Sequence, residues 1–300
     1  MTTGTKPESV AFVGLGTMGG AVVRRLAGGP WTVRVHDLSA AAIERAVACG
    51  AVAAPDAAAA VAGAPVVFSC LPTPEIVEEF WTAHARFLAP GAIAVDLSTV
   101  DPATSRRLAD RVAADGKAAF VACTLGKTPA LAEKGEIPVF VGGDAAAKAR
   151  LRPVLERMSN GIYDMGSVEG ATMFKLISNL IGMTNLAVLA EGYVLARAAG
   201  IDAETYTAAL RTTGAWSTQA DIRQGLIAGG DFAPRFAVDL AAKDLRLSVN
   251  MAATWGVPTP VAAAALSAFS LARAAGLGAR DAAAVVVPLA PAAGSERSEA

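Results

Sequence analysis

The chain has 300 residues, 53% of them hydrophobic and 18% charged, with a formal net charge of −1. This length suggests about two domains with ample material for buried cores, and the near-neutral charge argues against nucleic acid as the main partner. No uninterrupted apolar stretch of about 18 or more residues reads as a membrane span, and residues 1–8 are polar without the apolar run of a signal peptide, so a cytoplasmic protein is expected.

Residues 10–13 read as a strand that runs directly into Gly14-Leu15-Gly16-Thr17-Met18-Gly19, and the helical pattern Ala21-Val22-Val23-Arg24-Arg25-Leu26 follows. This is G-x-G-x-x-G between a strand and a helix, the setting that a dinucleotide site requires. Gly14 makes the tight turn, Gly16 lets a pyrophosphate approach the backbone, and Gly19 lets helix pack on strand. The helix N-terminus then offers free N–H groups and a partial positive charge to the phosphates. A second apolar run, residues 31–35, leads to Asp37, eighteen residues after Gly19, where a carboxylate can take both ribose hydroxyls of an adenosine. The alternative is a glycine turn in some other α/β protein.

Further strand-like runs occupy residues 32–36, 66–70, 93–96 and 119–123, with helical stretches at 40–49, 56–61, 76–87 and 102–115. That alternation predicts βαβ units and a parallel sheet. Runs at 138–141 and 161–164, flanking a helix over 145–157, extend the sheet. Residues 169–199 read as one long helix stopped by Gly200, on the order of 45 Å at 1.5 Å per residue, suited to be the spine between two domains. Helices follow near 203–212, 217–228, 238–255 and 260–275, with no comparable strand pattern after 165. The expected organisation is an α/β Rossmann-type domain over 1–165, an all-α domain with the long interdomain helix over 166–290, and a disordered tail over 291–300.

The three cysteines, Cys49, Cys70 and Cys123, are odd in number and lack C-x-x-C spacing, so they read as buried free thiols. Two histidines, His36 and His84, do not suggest a His-rich metal site, and no metal is expected.

Ligands of open α/β sheets bind at the C-terminal strand ends. After residues 66–70 comes Leu71-Pro72-Thr73-Pro74, a rigid loop able to wall a cofactor. After 93–96 come Ser98 and Thr99, whose hydroxyls either serve the site or cap the next helix, as Ser, Thr and Asp often do. After 119–123 comes Thr124-Leu125-Gly126-Lys127-Thr128-Pro129, with one cation among small residues. On the long helix Lys175 and Asn179 are four apart and share a face, among Met173, Phe174, Leu176, Ile177, Leu180 and Ile181. Lys175 is either a snorkelling stem or a desolvated lysine able to give or take a proton at a carbonyl under hydride attack, or to stabilise the developing alkoxide.

Taken together these segments resemble the β-hydroxyacid dehydrogenase family over roughly residues 9–290, which includes 3-hydroxyisobutyrate dehydrogenases and sulfolactaldehyde reductase. The resemblance rests on Gly14-Leu15-Gly16-Thr17-Met18-Gly19, Asp96-Leu97-Ser98-Thr99-Val100-Asp101-Pro102, Lys175-Leu176-Ile177-Ser178-Asn179 and Lys243-Asp244-Leu245. It implies a 6-phosphogluconate dehydrogenase-like C-terminal domain, Lys175 as catalytic acid/base with Asn179 beside it, and Ser98 at the substrate. It also implies Thr99 on the nicotinamide side, Lys243 at the cofactor with Asp244 supporting it, and a homodimer or homotetramer through the helical domain.

One departure concerns substrate. Where many members carry Ser-Gly-Gly, this chain has Gly126-Lys127-Thr128, closer to the Gly-Arg-Thr of sulfolactaldehyde reductase. Lysine loses bidentate geometry but keeps a point charge, suiting a sulfonate, carboxylate or phosphonate; alternatively Lys127 points to solvent and the backbone binds. The expected activity is NAD(P)-dependent hydride transfer to or from a small anionic 3-hydroxyacid or semialdehyde. Asp37 favours NAD, with NADP possible. The rivals are an imine reductase of the same architecture, which generally lacks the lysine at 175, and a non-catalytic dinucleotide-binding module.

Overall fold

A computed structural model describes residues 9–116 and 118–290; the expected tail over 291–300 and the polar start lie outside the described residues. Eight strands form one sheet in the order β3-β2-β1-β4-β5-β6-β7-β8. They are β1 (Ser9–Val13), β2 (Thr32–His36), β3 (Val52–Ala53), β4 (Val66–Ser69), β5 (Ile93–Asp96), β6 (Ala119–Leu125), β7 (Pro138–Gly143) and β8 (Gly161–Asp164). Between them lie α1 (Thr17–Ala27), α2 (Ala40–Val47), α3 (Ala57–Val61), α4 (Pro74–His84), α5 (Pro102–Gly116), α6 (Pro129–Ala132) and α7 (Ala145–Met158).

Period-two alternation splits β1, β4, β5 and β6 between two cores. Val10 and Phe12 of β1 face the layer holding α1, α2 and α7, while Ala11 and Val13 face α3, α4 and α5. The order 3-2-1-4-5-6 reverses direction at β1, so a crevice opens where the C-terminal ends of β1 and β4 part. All pairings are parallel except β6 with β7. The connection between those two strands carries only the four-residue α6, too little for the crossover a parallel pair needs.

α8 (Val168–Ala198) is shared between two compact units, which divide at Lys175 and Leu176. Its first turns belong to the sheet unit: Val168 and Ala171 join the second core, and the Thr124 hydroxyl donates to the Ala171 carbonyl at 3.2 Å. In the second unit Met183, Leu186, Leu189 and Ala190 pack with α10 (Thr218–Gly229), α11 (Val238–Thr254) and α12 (Pro260–Ala274), α9 (Ala203–Arg211) completing the helical set. α8 therefore carries apolar residues for two cores, and by length and mean hydropathy, 1.4, it is the one described helix able to cross a membrane. Its apolar run is not uninterrupted, because Lys175 and Glu191 break it.

The second unit is closed by a buried pair. Arg223 on α10 donates to Asp281 at 3.0 Å, and Asp281 also accepts from the Phe236 and Ala283 N–H groups at 3.0 and 2.9 Å. Satisfied on both oxygens, this carboxylate pins the final 3-10 segment, Ala282–Leu289, which the sequence pattern does not announce.

Candidate active site

Gly14 has φ +93°, a backbone state that favours glycine, and a Cβ there would overlap the Cys70 carbonyl oxygen while standing 3.0 Å from Leu71 Cδ2. A Cβ on Gly19 would overlap the Gly14 carbonyl oxygen and lie 3.2 Å from Cys70 Cβ. These two glycines are demanded by the close approach of β1, α1 and the end of β4. Gly16 differs: a Cβ there meets nothing within 4 Å. It stands exposed at the N-cap of α1, its side open to the space before the helix N-terminus. That open space, edged by free N–H groups, fits a dinucleotide pyrophosphate.

Asp37 closes the same turn from β2. Its Oδ2 accepts from the Leu15 N–H at 2.6 Å and its Oδ1 from the Ser39 N–H at 2.8 Å. A pocket of about 460 Å³ runs from Leu15, Gly16 and Thr17 past Asp37 and Ser39, between α1 and α2, to Arg24, Arg45 and Cys49. Arg24 pairs there with Glu133. Arg34, three residues before Asp37, is engaged elsewhere: its guanidinium donates to the Ala62 carbonyl at 2.9 Å. Arg24 on α1 and Arg45 on α2 both line the groove, which the spacing of each along its helix makes legible in the sequence.

The loop after β4 is held from below. The Ser98 hydroxyl donates to Asp96 Oδ1 at 2.7 Å and accepts from the Leu71 N–H at 2.9 Å. Ser69 donates to the same Oδ1 at 2.7 Å and accepts from the indole N–H of Trp81 at 3.0 Å. All four side chains are buried. Capping of α5 falls to Asp101, which takes the Thr104 N–H at 2.9 Å, so Ser98 is released from that role. Thr73 caps α4 through the Ile76 N–H, at 3.4 Å, and Thr99 is half-buried.

Among the described residues Lys127 is the only non-glycine with positive φ, 61°. Its ammonium donates to the Glu136 carbonyl at 3.1 Å, and the side chain is exposed. Gly126, whose N–H bonds the Pro138 carbonyl at 3.0 Å, leaves no room for a Cβ against Pro138 Cγ at 2.7 Å. Thr128 begins α6 without capping it through its side chain.

Lys175 and Asn179 sit one turn apart on α8, both half-buried. Within the second unit, Asn179 Nδ2 donates to Asp244 Oδ2 at 2.6 Å, and Lys243 Nζ lies 3.0 Å from Asp244 Oδ1. Lys243 and Asp244 are both buried, and Ser248 on the same helix donates to the Leu176 carbonyl at 3.0 Å. Asp244 thus joins two residues expected to act separately. Of the cysteines only Cys123 is buried, and burial pushes its thiol up; Cys49 and Cys70 are half-buried at the groove and the β4 end, which corrects the expectation of three buried thiols.

Two family models match the chain. One described as the NAD binding domain of 6-phosphogluconate dehydrogenase covers residues 9–166, and one described as NAD-binding of NADP-dependent 3-hydroxyisobutyrate dehydrogenase covers residues 169–289. The chain is 32% identical to a 2-(hydroxymethyl)glutarate dehydrogenase of Eubacterium barkeri, over 94% of each protein. It is 29% identical to a 3-sulfolactaldehyde reductase of Escherichia coli, over 91% of this chain and 93% of the relative. A solved 3-hydroxyisobutyrate dehydrogenase from Salmonella typhimurium superposes with a TM-score of 0.87 at 28% identity, covering 93% of this chain and 99% of that one. The chain belongs to the β-hydroxyacid dehydrogenase family of nicotinamide-dependent oxidoreductases.

Proposed function

We propose that the chain moves a hydride between a nicotinamide dinucleotide and a small anionic 3-hydroxyacid or its semialdehyde, with NAD preferred over NADP. The observation that carries this is the Lys175–Asn179 turn of α8, with the Asn179 amide nitrogen anchored on Asp244 at 2.6 Å. When bound, the nicotinamide supplies hydride exchange with the carbon that bears the oxygen.

The residues of the chain do the rest. The turn from Gly14 to Gly19 receives the pyrophosphate, and Asp37 takes the ribose hydroxyls. A 2′-phosphate would meet the Asp37 carboxylate, while the nearby Arg24 guanidinium is already paired with Glu133. Leu71, Pro72, Thr73 and Thr99 wall the cofactor, and Lys243 steadies it from α11. In oxidation Lys175 takes the hydroxyl proton as the hydride leaves carbon; in reduction it returns that proton to the carbonyl oxygen. With its nitrogen facing Asp244, Asn179 keeps its amide oxygen for the lysine or the substrate. The anionic end group goes to Gly126, Lys127 and Thr128, where the lysine adds a point charge. Relatives named for 2-(hydroxymethyl)glutarate and 3-sulfolactaldehyde, both anionic, support that class.

Ile181, Val188 and Leu195 recur every seven residues on α8 and are exposed, with Ile177 alongside. A second copy of the chain covering this stripe makes the working form a homo-oligomer. Three cysteines outside any disulfide suit the reducing cytoplasm. The test is a panel of small hydroxyacids, semialdehydes and a cyclic imine, followed by nicotinamide absorbance. Turnover confined to anionic hydroxyacids or semialdehydes supports the reading; turnover of the imine alone overturns it.

A further inference from the structure

Ser98 sits where a substrate-holding hydroxyl is expected, but its hydrogen bonds are committed elsewhere. Its proton goes to Asp96 Oδ1 and one lone pair takes the Leu71 N–H, at 2.7 and 2.9 Å, and the residue is only 4% exposed. The same Asp96 oxygen receives Ser69, which is fully buried and takes the indole N–H of Trp81. A ladder of polar contacts therefore climbs from α4 through β4 and β5 to the backbone of the loop that follows β4.

That loop is the neighbour of the glycine turn. The Cys70 N–H donates to the Val13 carbonyl at 2.9 Å, and the Leu97 N–H donates to the Ser69 carbonyl at 2.8 Å, so the ends of β1, β4 and β5 are tied together. The position a Gly14 Cβ would take is 3.0 Å from Leu71 Cδ2. A shift of Leu71 is felt at once by the turn that receives the pyrophosphate.

We propose that Asp96 and Ser98 are positioning residues for the dinucleotide: they hold Leu71, and with it the Leu71-Pro72-Thr73 wall, against Gly14, and Ser98 does not hold the substrate. This assignment rests on the dinucleotide reading of the glycine turn. Asp96 is the centre of the ladder, because its one oxygen orients both hydroxyls and so leaves the Ser98 lone pair facing the Leu71 N–H. Removing the Ser98 hydroxyl strands that N–H and frees the wall.

The test uses the full chain, with NADH as the probe in a fluorescence titration and hydroxyacid KM measured at saturating cofactor. Ser98→Ala is expected to weaken NADH binding about tenfold, with the hydroxyacid KM changed less than about twofold. Ser69→Ala, too buried to touch any ligand, is expected to weaken NADH in the same direction by roughly threefold, which a role confined to the substrate would not produce. Unchanged NADH affinity in both variants, or a raised hydroxyacid KM in Ser98→Ala with NADH affinity intact, overturns the proposal. Wild-type chain that binds no NADH overturns the dinucleotide reading along with it.

Discussion

The three glycines of the N-terminal turn separate fold from function, and alanine at each measures which is which. At Gly14 alanine pays twice. A φ of +93° costs an L-residue about 1–2 kcal/mol, and the Cβ overlaps the Cys70 carbonyl, with the Cys70 carbonyl carbon at 2.9 Å, so the backbone must move for about another 1–3 kcal/mol. Gly14→Ala is thus expected to lose about 3 kcal/mol, a drop in Tm of roughly 5 °C for a protein of this size. Gly19→Ala keeps an ordinary helical φ but overlaps the Gly14 carbonyl oxygen, and loses about 2 kcal/mol. Gly16→Ala meets nothing within 4 Å, and its backbone, φ −59° and ψ −169°, suits any residue. Its stability should stay level or rise by about 0.5 kcal/mol through a less flexible unfolded chain. The added methyl stands where a phosphate must come close, so NADH binding should weaken at least about tenfold. Thermal melts by circular dichroism and NADH titrations read the two quantities independently. Wild-type NADH affinity in Gly16→Ala, or wild-type stability in Gly19→Ala, would refute the reasoning.

With NAD and NADP compared at equal concentration, kcat/KM should favour NAD by at least about tenfold, and Asp37→Ser should shrink that ratio through loss of the like-charge clash; equal values in the wild type contradict the role given to Asp37. Lys127→Ala should raise KM for an anionic aldehyde about tenfold and leave that for a neutral aldehyde unchanged, and equal effects on both return the lysine to the solvent. Arg106 bonded to Glu169 at 2.5 Å holds that carboxyl below its ordinary 4.5, so the pair stabilises the fold above that value and the contribution is lost as pH falls through the folded-state value. Arg106 is exposed and Glu169 half-buried at the surface, so Tm measured from about pH 6 to pH 3 should fall only slightly more steeply in the wild type than in Glu169→Gln; parallel curves remove the pair from the acid response.

What the sequence reveals is local. The strand, glycine turn and helix at 10–26 are visible because each residue type answers a short-range demand, and the Gly14 and Gly19 contacts are made within one βα unit and its neighbour. The Lys175–Asn179 turn is equally visible, since helical spacing alone puts both on one face. β3 escapes notice because two exposed residues, Val52 and Ala53, carry no period. The reversal of β7 is set by pairing with β6, not by the composition of either strand. Ser98 and Thr99 carry the same hydroxyl chemistry in the sequence, and only the capping of α5 by Asp101 separates them from that role. The link between Asn179 and Asp244 spans 65 residues of chain and no pattern forecasts it. Lys127 reads as a cation in sequence, and only the backbone reveals its left-handed φ, a strained state for lysine that costs about 1 kcal/mol.

The central claim is that Lys175 moves the proton in a hydride transfer. The direct measurement is steady-state turnover of wild type and Lys175→Ala on the best hydroxyacid of the panel, with NADH affinity measured on the same samples. Turnover should fall by about 10²–10⁴-fold while NADH affinity stays within about twofold. A variant that turns over at the wild-type rate contradicts the claim.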